Sequence, residues 1–145
     1  MKTLEFTIPG EPLSQGRPRF STRGGFARAY DPKKSRDGKA VVKLCAKEAV
    51  DRESWNEPMT GPIEMLIQFA IALPKSQYRK RTPILRKWRV KKPDIDNLMK
   101  LVKDACSSVV FLDDNQVVRV IAEKIQCAQD EAPFTKVRFR ELEEL

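Results

Sequence analysis

The sequence predicts an α+β fold in which two helices pack on one face of a small mixed β-sheet of about four strands. Two observations support this prediction. Apolar residues alternate with polar ones over residues 4–8 and occupy every odd position over residues 63–73, as expected of β-strands. Residues 35–54 and 97–108 instead repeat apolar side chains at helical spacing. The chain is expected to fold as one domain spanning residues 1–145.

Turn-forming residues and apolar spacing define the remaining elements. Pro9 and Gly10 end the first strand, and Pro74 ends the second. The first helix is expected to bury the face formed by Val41, Leu44, Cys45 and Ala49. The second helix is expected to start with Asp96 as its N-cap and to bury Leu98, Leu101, Val102, Ala105 and Val109. After a turn at 111–115, two further strands are predicted at 116–127 and 134–140.

The charge balance favours a polyanionic partner. The chain carries 28 Lys and Arg residues against 20 Asp and Glu, and nucleic acid is the commonest partner of such a basic protein. No apolar run is long enough to span a membrane, and the N-terminus lacks the apolar core of a signal peptide, so a cytoplasmic protein is expected. Three widely spaced cysteines and no histidine argue against zinc, disulfides and a cysteine nucleophile, and predict reduced, mostly buried thiols.

Two basic segments are the candidates for contact with nucleic acid. Residues 10–30 are expected to form a loop or an irregular hairpin. Residues 75–93 are expected to form a mobile basic arm, with nine basic residues interleaved with Tyr78 and Trp88. The alternative for the arm is a solvated charge run without a partner. The predicted DNA-binding residues are Arg17, Arg19, Arg23, Arg79, Lys80, Arg81, Lys91 and Lys92.

An acidic pair lies among these cations, in the segment KKPDIDNLMK. Asp94 and Asp96 are two positions apart, so in an extended segment both carboxylates point to the same side. Two carboxylates this close stay ionised when a cation lies between them. With no histidine, the oxygen-preferring Mg²⁺ is the simplest choice, and Mn²⁺ also suits. Lys100, one helical turn after Asp96, suits the stabilisation of charge on a phosphate, and Asn97 can hydrogen-bond beside the metal.

A metal site needs further ligands, and the segment FLDDN offers Asp113 and Asp114. A strand that follows a helix runs back antiparallel to it, which puts the helix start and the next turn at opposite ends. The sequence therefore leaves open whether Asp114 meets Asp94. A purely structural interpretation also stays open, in which Asp96 caps a helix with an acidic first turn and the second acidic pair closes a plain turn.

The order of these motifs resembles one known family. KKPDIDNLMKLVKDA, then FLDDNQVV, then Lys124 closely resemble the RusA family of Holliday junction resolvases from bacteria and phages. The N-terminal segments GEPLSQGRPRF and AYDPKKSRD resemble the branch found in phages and Gram-positive bacteria, so the resemblance covers most of the chain. It implies a RusA-like homodimeric, Mg²⁺-dependent endonuclease that resolves four-way DNA junctions by paired symmetric nicks, in recombination and repair.

The resemblance also implies roles for individual residues. The implied metal ligands are Asp94, Asp96 and Asp114, and the implied catalytic set adds Lys100. The implied supporting residues are Asn97, Asp113 and Lys124. A bacterial or phage-encoded, nucleoid-associated protein is implied as well. Two other functions remain open: a non-catalytic basic protein that binds nucleic acid, and a Mg²⁺ nuclease that acts on forks or flaps.

Overall fold

The computed structural model describes residues 1–17, 19–30 and 32–145, with the backbone alone at Arg19. Its strands and helices, in chain order, are β1 (Thr3–Pro9), β2 (Arg19–Ser21), β3 (Arg28–Tyr30), α1 (Lys33–Arg52), β4 (Ile63–Ile71), β5 (Lys87–Trp88), α2 (Ile95–Cys106), β6 (Val117–Gln126) and β7 (Phe134–Glu141).

The main sheet has five strands in the order β1-β7-β4-β6-β5. Strands β4 and β6 are parallel, and every other neighbouring pair is antiparallel, so the sheet is mixed. The predicted α+β fold class is confirmed. The fifth strand is the two-residue β5 from the basic arm, which the sequence did not reveal. Strands β2 and β3 pair with each other in a separate two-stranded ribbon.

One face of the sheet and both helices form the main core. Alternate strand residues such as Phe6, Met65 and Phe139 are buried in one cluster with apolar residues of α1 and α2. Helix α2 buries Leu98, Leu101, Val102 and Ala105, as its spacing predicted, while Val109 beyond its end is partly buried. Among the described residues, no helix is long and apolar enough to cross a membrane.

Helix α1 buries a different face from the one predicted. Val41 and Leu44 are 49% and 59% exposed, whereas the buried residues are Ser35, Gly38, Val42, Ala46 and Ala49. Small residues form this face because α1 packs closely against its neighbours. A Cβ on Gly38 would lie 2.8 Å from Leu13 Cδ1. Of the predicted positions, Ala49 is buried and Cys45 is partly buried.

An ion-pair network connects β4, β6 and β7 on the opposite face of the sheet. The buried Glu64 carboxylate pairs with the guanidinium groups of Arg119 and Arg140. The hydrogen bond from Arg119 is the main reason why the pKa of Glu64 is lowered. This ion-pair network gives both arginines a structural partner. All three cysteines are free thiols, and burial raises the pKa of Cys106, which makes that thiol a poor nucleophile.

Candidate active site at the start of the second helix

Helix α2 begins immediately after Asp94, which occupies the N-cap position with φ −70° and ψ 137°. The prediction that Asp96 is the N-cap is therefore wrong, because the helix starts two residues earlier and Asp96 lies in its first turn. The Asp94 side chain makes no capping hydrogen bond. One oxygen of Asp96 accepts a hydrogen bond from the adjacent backbone N–H of Asn97 at 3.0 Å. The acidic pair is thus largely unused by the helix backbone.

Lys124 ties the backbone that leads into Asp94 to strand β6. Its ammonium group donates to the carbonyl oxygens of Lys91 and Pro93, both at 2.7 Å. Arg89 reinforces the same junction, because its backbone N–H donates to the Lys124 carbonyl at 3.0 Å and its guanidinium donates to the Lys92 carbonyl at 2.8 and 3.0 Å. The Lys124 side chain therefore holds the backbone that leads into Asp94.

The surroundings of the acidic pair are polar and open to solvent. Asp94, Asp96, Asn97 and Lys100 are all exposed. Lys100 follows Asp96 by one helical turn, which puts both side chains on the same side of α2. Within the described part of the chain, neither aspartate makes an ion pair. Both carboxylates therefore remain available to a cation from solution.

The second acidic pair has divided roles. Asp113 caps a short 3₁₀ turn at Asp114–Gln116 by accepting a hydrogen bond from the Asn115 N–H at 2.8 Å. Gln116 completes the cap through its side-chain oxygen and also donates to the Met59 and Gly61 carbonyls at 3.0 and 3.1 Å. Asp113 is thus engaged in local structure. Asp114 is half-buried, and no hydrogen bond of its side chain is found among the described residues.

The two acidic segments lie at opposite ends of β6. Gln116 fastens the Asp114 turn beside the start of β4, which is next to the start of β6. Lys124, near the end of β6, holds the segment that contains Asp94. The seven residue steps from Val117 to Lys124 span roughly 23 Å. A single copy of the chain therefore keeps Asp114 away from Asp94 and Asp96. Consistent with this, no group of three metal-binding side chains occurs among the described residues.

The chemistry of the acidic pair nevertheless fits a hard divalent cation. Asp94 and Asp96 offer carboxylate oxygens only, which Mg²⁺ and Mn²⁺ accept, and the chain has no histidine that would favour zinc. Mg²⁺ is commonly held by one or two carboxylates together with waters and substrate phosphate oxygens. Two aspartates from one chain are therefore enough to begin such a site, and they leave coordination positions for other ligands.

The basic arm, residues 75–93, is fastened to the turn between β6 and β7. Gln129 makes four hydrogen bonds to the arm backbone, two with Arg79 at 2.8 and 2.9 Å and two with Ile84 at 2.8 and 3.2 Å. Arg86 adds an ion pair with Glu131. No local pattern marks Gln129, because a lone glutamine in a turn carries no signal for a partner 50 residues away.

Fastening the backbone leaves most arm cations facing solvent. Arg86 and Arg89 have internal partners, whereas Arg79, Lys80, Arg81, Lys91 and Lys92 are exposed. The Tyr78 hydroxyl accepts a hydrogen bond from the Asp130 N–H at 3.3 Å, so this ring is committed to the arm's attachment. Trp88 is 65% exposed. The predicted DNA-binding residues Arg17 and Arg23 are also exposed, and the Arg19 side chain lies outside the described residues.

The N-terminal basic loop runs directly beside the acidic pair. The Gln15 backbone N–H donates to the Asn97 carbonyl at 3.0 Å, in the first turn of α2. The next residue, Gly16, donates to the buried Ser35 hydroxyl at 2.8 Å, which joins the loop to the start of α1. A side chain at Gly16 would crowd this crossing, since its Cβ would lie 3.0 Å from both Pro32 and Ser35. The loop, the arm and the acidic pair therefore meet at one end of the sheet.

Comparison with known proteins shows which family the chain belongs to. The family model described as endodeoxyribonuclease RusA matches residues 9–139, which is most of the chain. The chain belongs to the RusA family and is an endodeoxyribonuclease, a hydrolase that acts on DNA. It is 36% identical over 150 residues to "Uncharacterized protein YqaN" of Bacillus subtilis (strain 168), an alignment that covers 98% of this chain and 99% of that protein.

Proposed function

We propose that the protein is a Mg²⁺-dependent, homodimeric endonuclease that resolves four-way DNA junctions by paired symmetric nicks, in DNA recombination and repair, on nucleoid or phage DNA in the cytoplasm. The observation that carries the proposal is the exposed Asp94–Asp96 pair at the start of α2, set among basic segments in a chain of the RusA family. Mn²⁺ would serve as an alternative ion because its ligand preference is similar.

Each residue of this site would have its own role in phosphodiester hydrolysis. A bound Mg²⁺ would supply an activated water and neutralise charge on the phosphate. Asp94 and Asp96 would hold the ion, and the Lys100 ammonium would stabilise the negative charge that develops on the phosphate oxygens. Asn97 would orient a water or a phosphate oxygen by hydrogen bonding. Lys124 would act indirectly, by holding the Lys91–Pro93 backbone so that the acidic pair keeps its position.

We infer that the third aspartate of each site comes from a second copy. Within one chain, Asp114 and the acidic pair lie beside opposite ends of the β6 segment from Val117 to Lys124, which spans roughly 23 Å. A two-fold dimer that pairs the Asp94 end of one copy with the Asp114 end of the other would complete two equivalent sites. Asp114 suits this role because its carboxylate has no local hydrogen bond among the described residues, whereas Asp113 is engaged in its cap. Two equivalent sites match the two strands cut in a four-way junction.

Cleavage of a substrate panel distinguishes the proposal from its alternatives. One preparation incubated with a four-way junction, a fork, a flap and a linear duplex, each with Mg²⁺ and with EDTA, is expected to nick the junction fastest and only with Mg²⁺. The products are measured on denaturing gels. Preference for forks or flaps would make the protein a different structure-specific nuclease. Salt-sensitive binding without cleavage of any substrate would make it a non-catalytic DNA-binding protein.

Charge reversal in the arm is expected to weaken binding to all DNA. Arg79, Lys80 and Arg81 are exposed, so changing all three to Glu leaves the Gln129 hydrogen bonds to the backbone intact. Affinity for junction and duplex should fall together, and the salt dependence of binding should flatten by about one unit of slope per lost phosphate contact. Fluorescence anisotropy over a salt series measures both quantities.

A matched control uses three exposed cations on another surface. Lys43, Lys47 and Arg52 lie on α1, and changing them to Glu alters the net charge by the same amount. This variant is expected to lose much less affinity. If both variants lose affinity equally, the arm makes no specific phosphate contacts and its charge acts only through the overall field of the protein.

A further inference from the structure

The ribbon formed by β2 and β3 exposes an unusual set of aromatic side chains. Phe20 is 76% exposed, Phe26 is 72% exposed and Tyr30 is 46% exposed. Among the described residues, the one other exposed aromatic side chain is Trp88. By contrast, Phe6, Phe69, Phe111 and Phe139 are all buried in the core. The ribbon thus holds its rings out to solvent, although the core of the same chain buries such rings efficiently.

The local structure of the ribbon keeps these rings exposed. Phe20 lies directly opposite Ala29 on the paired strand, and this small neighbour leaves the ring uncovered. The ribbon turns at Gly24 and Gly25, whose φ values of +86° and +83° are favoured only for glycine, and a hydrogen bond from the Gly25 N–H to the Thr22 carbonyl closes the turn at 3.0 Å. Phe26 follows this turn directly and therefore projects from the tip.

The charge around these rings points to the chemistry of their partner. Residues 12–30 contain four arginines and no acidic residue. Arg17, Arg23 and Arg28 are exposed, so cations flank the rings in the sequence and on the surface. A second copy is a poor occupant, because it would bring two such ribbons of like charge together. Exposed aromatic rings interleaved with arginines are the combination that binds unstacked nucleobases along a phosphate backbone.

The position of the ribbon relates it to the acidic pair. Its base is fixed where Gln15 donates to Asn97 and Gly16 donates to Ser35. The ribbon begins at Arg19, four residues after the direct contact of Gln15 with the first turn of α2, so DNA bound at the acidic pair would pass its base. An intact duplex buries its base faces by stacking, whereas a branch point offers faces that open at low cost.

We propose that the β2–β3 ribbon recognises the branch of its DNA substrate by stacking Phe20 and Phe26 on bases that are unstacked at the branch point. This inference rests on the proposed function, since it assigns the ribbon the task of selecting branched DNA for the same site. The arginines hold the adjacent phosphates, and the rings supply the preference for opened bases over intact duplex.

Binding in EDTA tests the ribbon separately from catalysis. The readouts are affinity for a four-way junction and for a duplex, and the fluorescence of 2-aminopurine placed either at the branch or in the middle of an arm. For Phe20→Ala with Phe26→Ala, we expect a loss of about tenfold or more in junction affinity, a loss of the signal change at the branch, and unchanged duplex affinity.

Phe20→Trp with Phe26→Trp should retain junction affinity, because the rings remain. Leu44→Ala, which removes an exposed side chain without a ring from α1, should have no effect.

Other outcomes overturn the inference. It fails if the double Ala variant binds the junction as the wild-type protein does, if it loses junction and duplex affinity equally, or if its main effect is to change the oligomeric state. It also fails if wild-type protein leaves the branch-point signal unchanged. Thermal melting controls for folding. The melting temperature should not change in these variants, because both substituted side chains are exposed. The proposed function is judged separately, by Mg²⁺-dependent nicking with the wild-type protein, so the failure of one proposal does not imply failure of the other.

Discussion

Asp94→Asn is expected to abolish junction cleavage while leaving junction binding intact. The substitution keeps the size of the side chain but removes the negative charge that would hold Mg²⁺. Loss of a metal ligand costs several kcal/mol of transition-state stabilisation, which corresponds to a fall in rate of about 10³-fold. The folded state should be unaffected, because the Asp94 side chain caps no backbone group and is exposed. Single-turnover cleavage with Mg²⁺ and anisotropy in EDTA measure the two effects.

Asp51→Asn is the matched control for this experiment. Asp51 is an exposed acid on α1 and has no part in the proposed site. Its substitution removes the same charge and should leave the cleavage rate within about twofold of wild type, because a single exposed charge contributes little at a distance. Equal cleavage by the Asp94 and Asp51 variants would contradict the assignment of the acidic pair. Asp96→Asn is expected to behave like Asp94→Asn.

Mixing two inactive variants is expected to restore cleavage if sites are shared between copies. Asp94→Asn and Asp114→Asn should each be inactive alone. In a mixed dimer, the copy with Asp114→Asn supplies an intact acidic pair and its partner supplies an intact Asp114. One complete site results, and the other site lacks both ligands. The mixture should therefore nick one strand of the junction without producing the paired cut that separates it into two duplexes.

A second mixture controls for this complementation. Asp94 and Asp96 lie on the same chain at the same site, so a dimer of Asp94→Asn with Asp96→Asn contains no intact site and should stay inactive. Nicking by both mixtures would indicate residual activity of the variants. Inactivity of both would show that Asp114 of a second copy does not complete the site, while leaving the role of the acidic pair to be judged from the single variants. Co-expression with two different affinity tags gives the mixed dimers for both comparisons.

The sequence predicted those features whose cause is local. The buried face of α2 was predicted correctly because Leu98, Leu101, Val102 and Ala105 recur at helical spacing, while charged residues occupy the opposite side of the helix. The same criterion failed for α1, where close packing selects Gly38, Ala46 and Ala49 and leaves the larger Val41 and Leu44 exposed. The sequence favours Asp96 as the N-cap because acidic residues suit both the cap and the first turn, and local preference does not distinguish these positions.

Features that depend on distant contacts were not predictable from the sequence. Gln129 holds the arm from a turn 50 residues away, and Lys124 holds the Lys91 and Pro93 carbonyls from a strand more than 30 residues away. Lys124 was a candidate from the family resemblance alone, and its contacts now give it a physical role. By contrast, the separation of Asp114 from Asp94 follows from chain order, since α2 carries the chain away from Asp94 and Asp114 lies in the turn before β6 brings the chain back.

In the proposed dimer, strand β6 would determine the distance between the two active sites. Each site would combine the acidic pair of one copy with Asp114 of the other, so the distance between the two sites would equal the distance between these groups within one chain. That distance is set mainly by β6, which pairs with β4 in continuous register from Arg119 to Gln126, after one register shift near its start. The spacing of the two cuts would then follow from the number of residues in a hydrogen-bonded strand, and inserting residues there would shift the cut positions even though no residue that contacts DNA had changed.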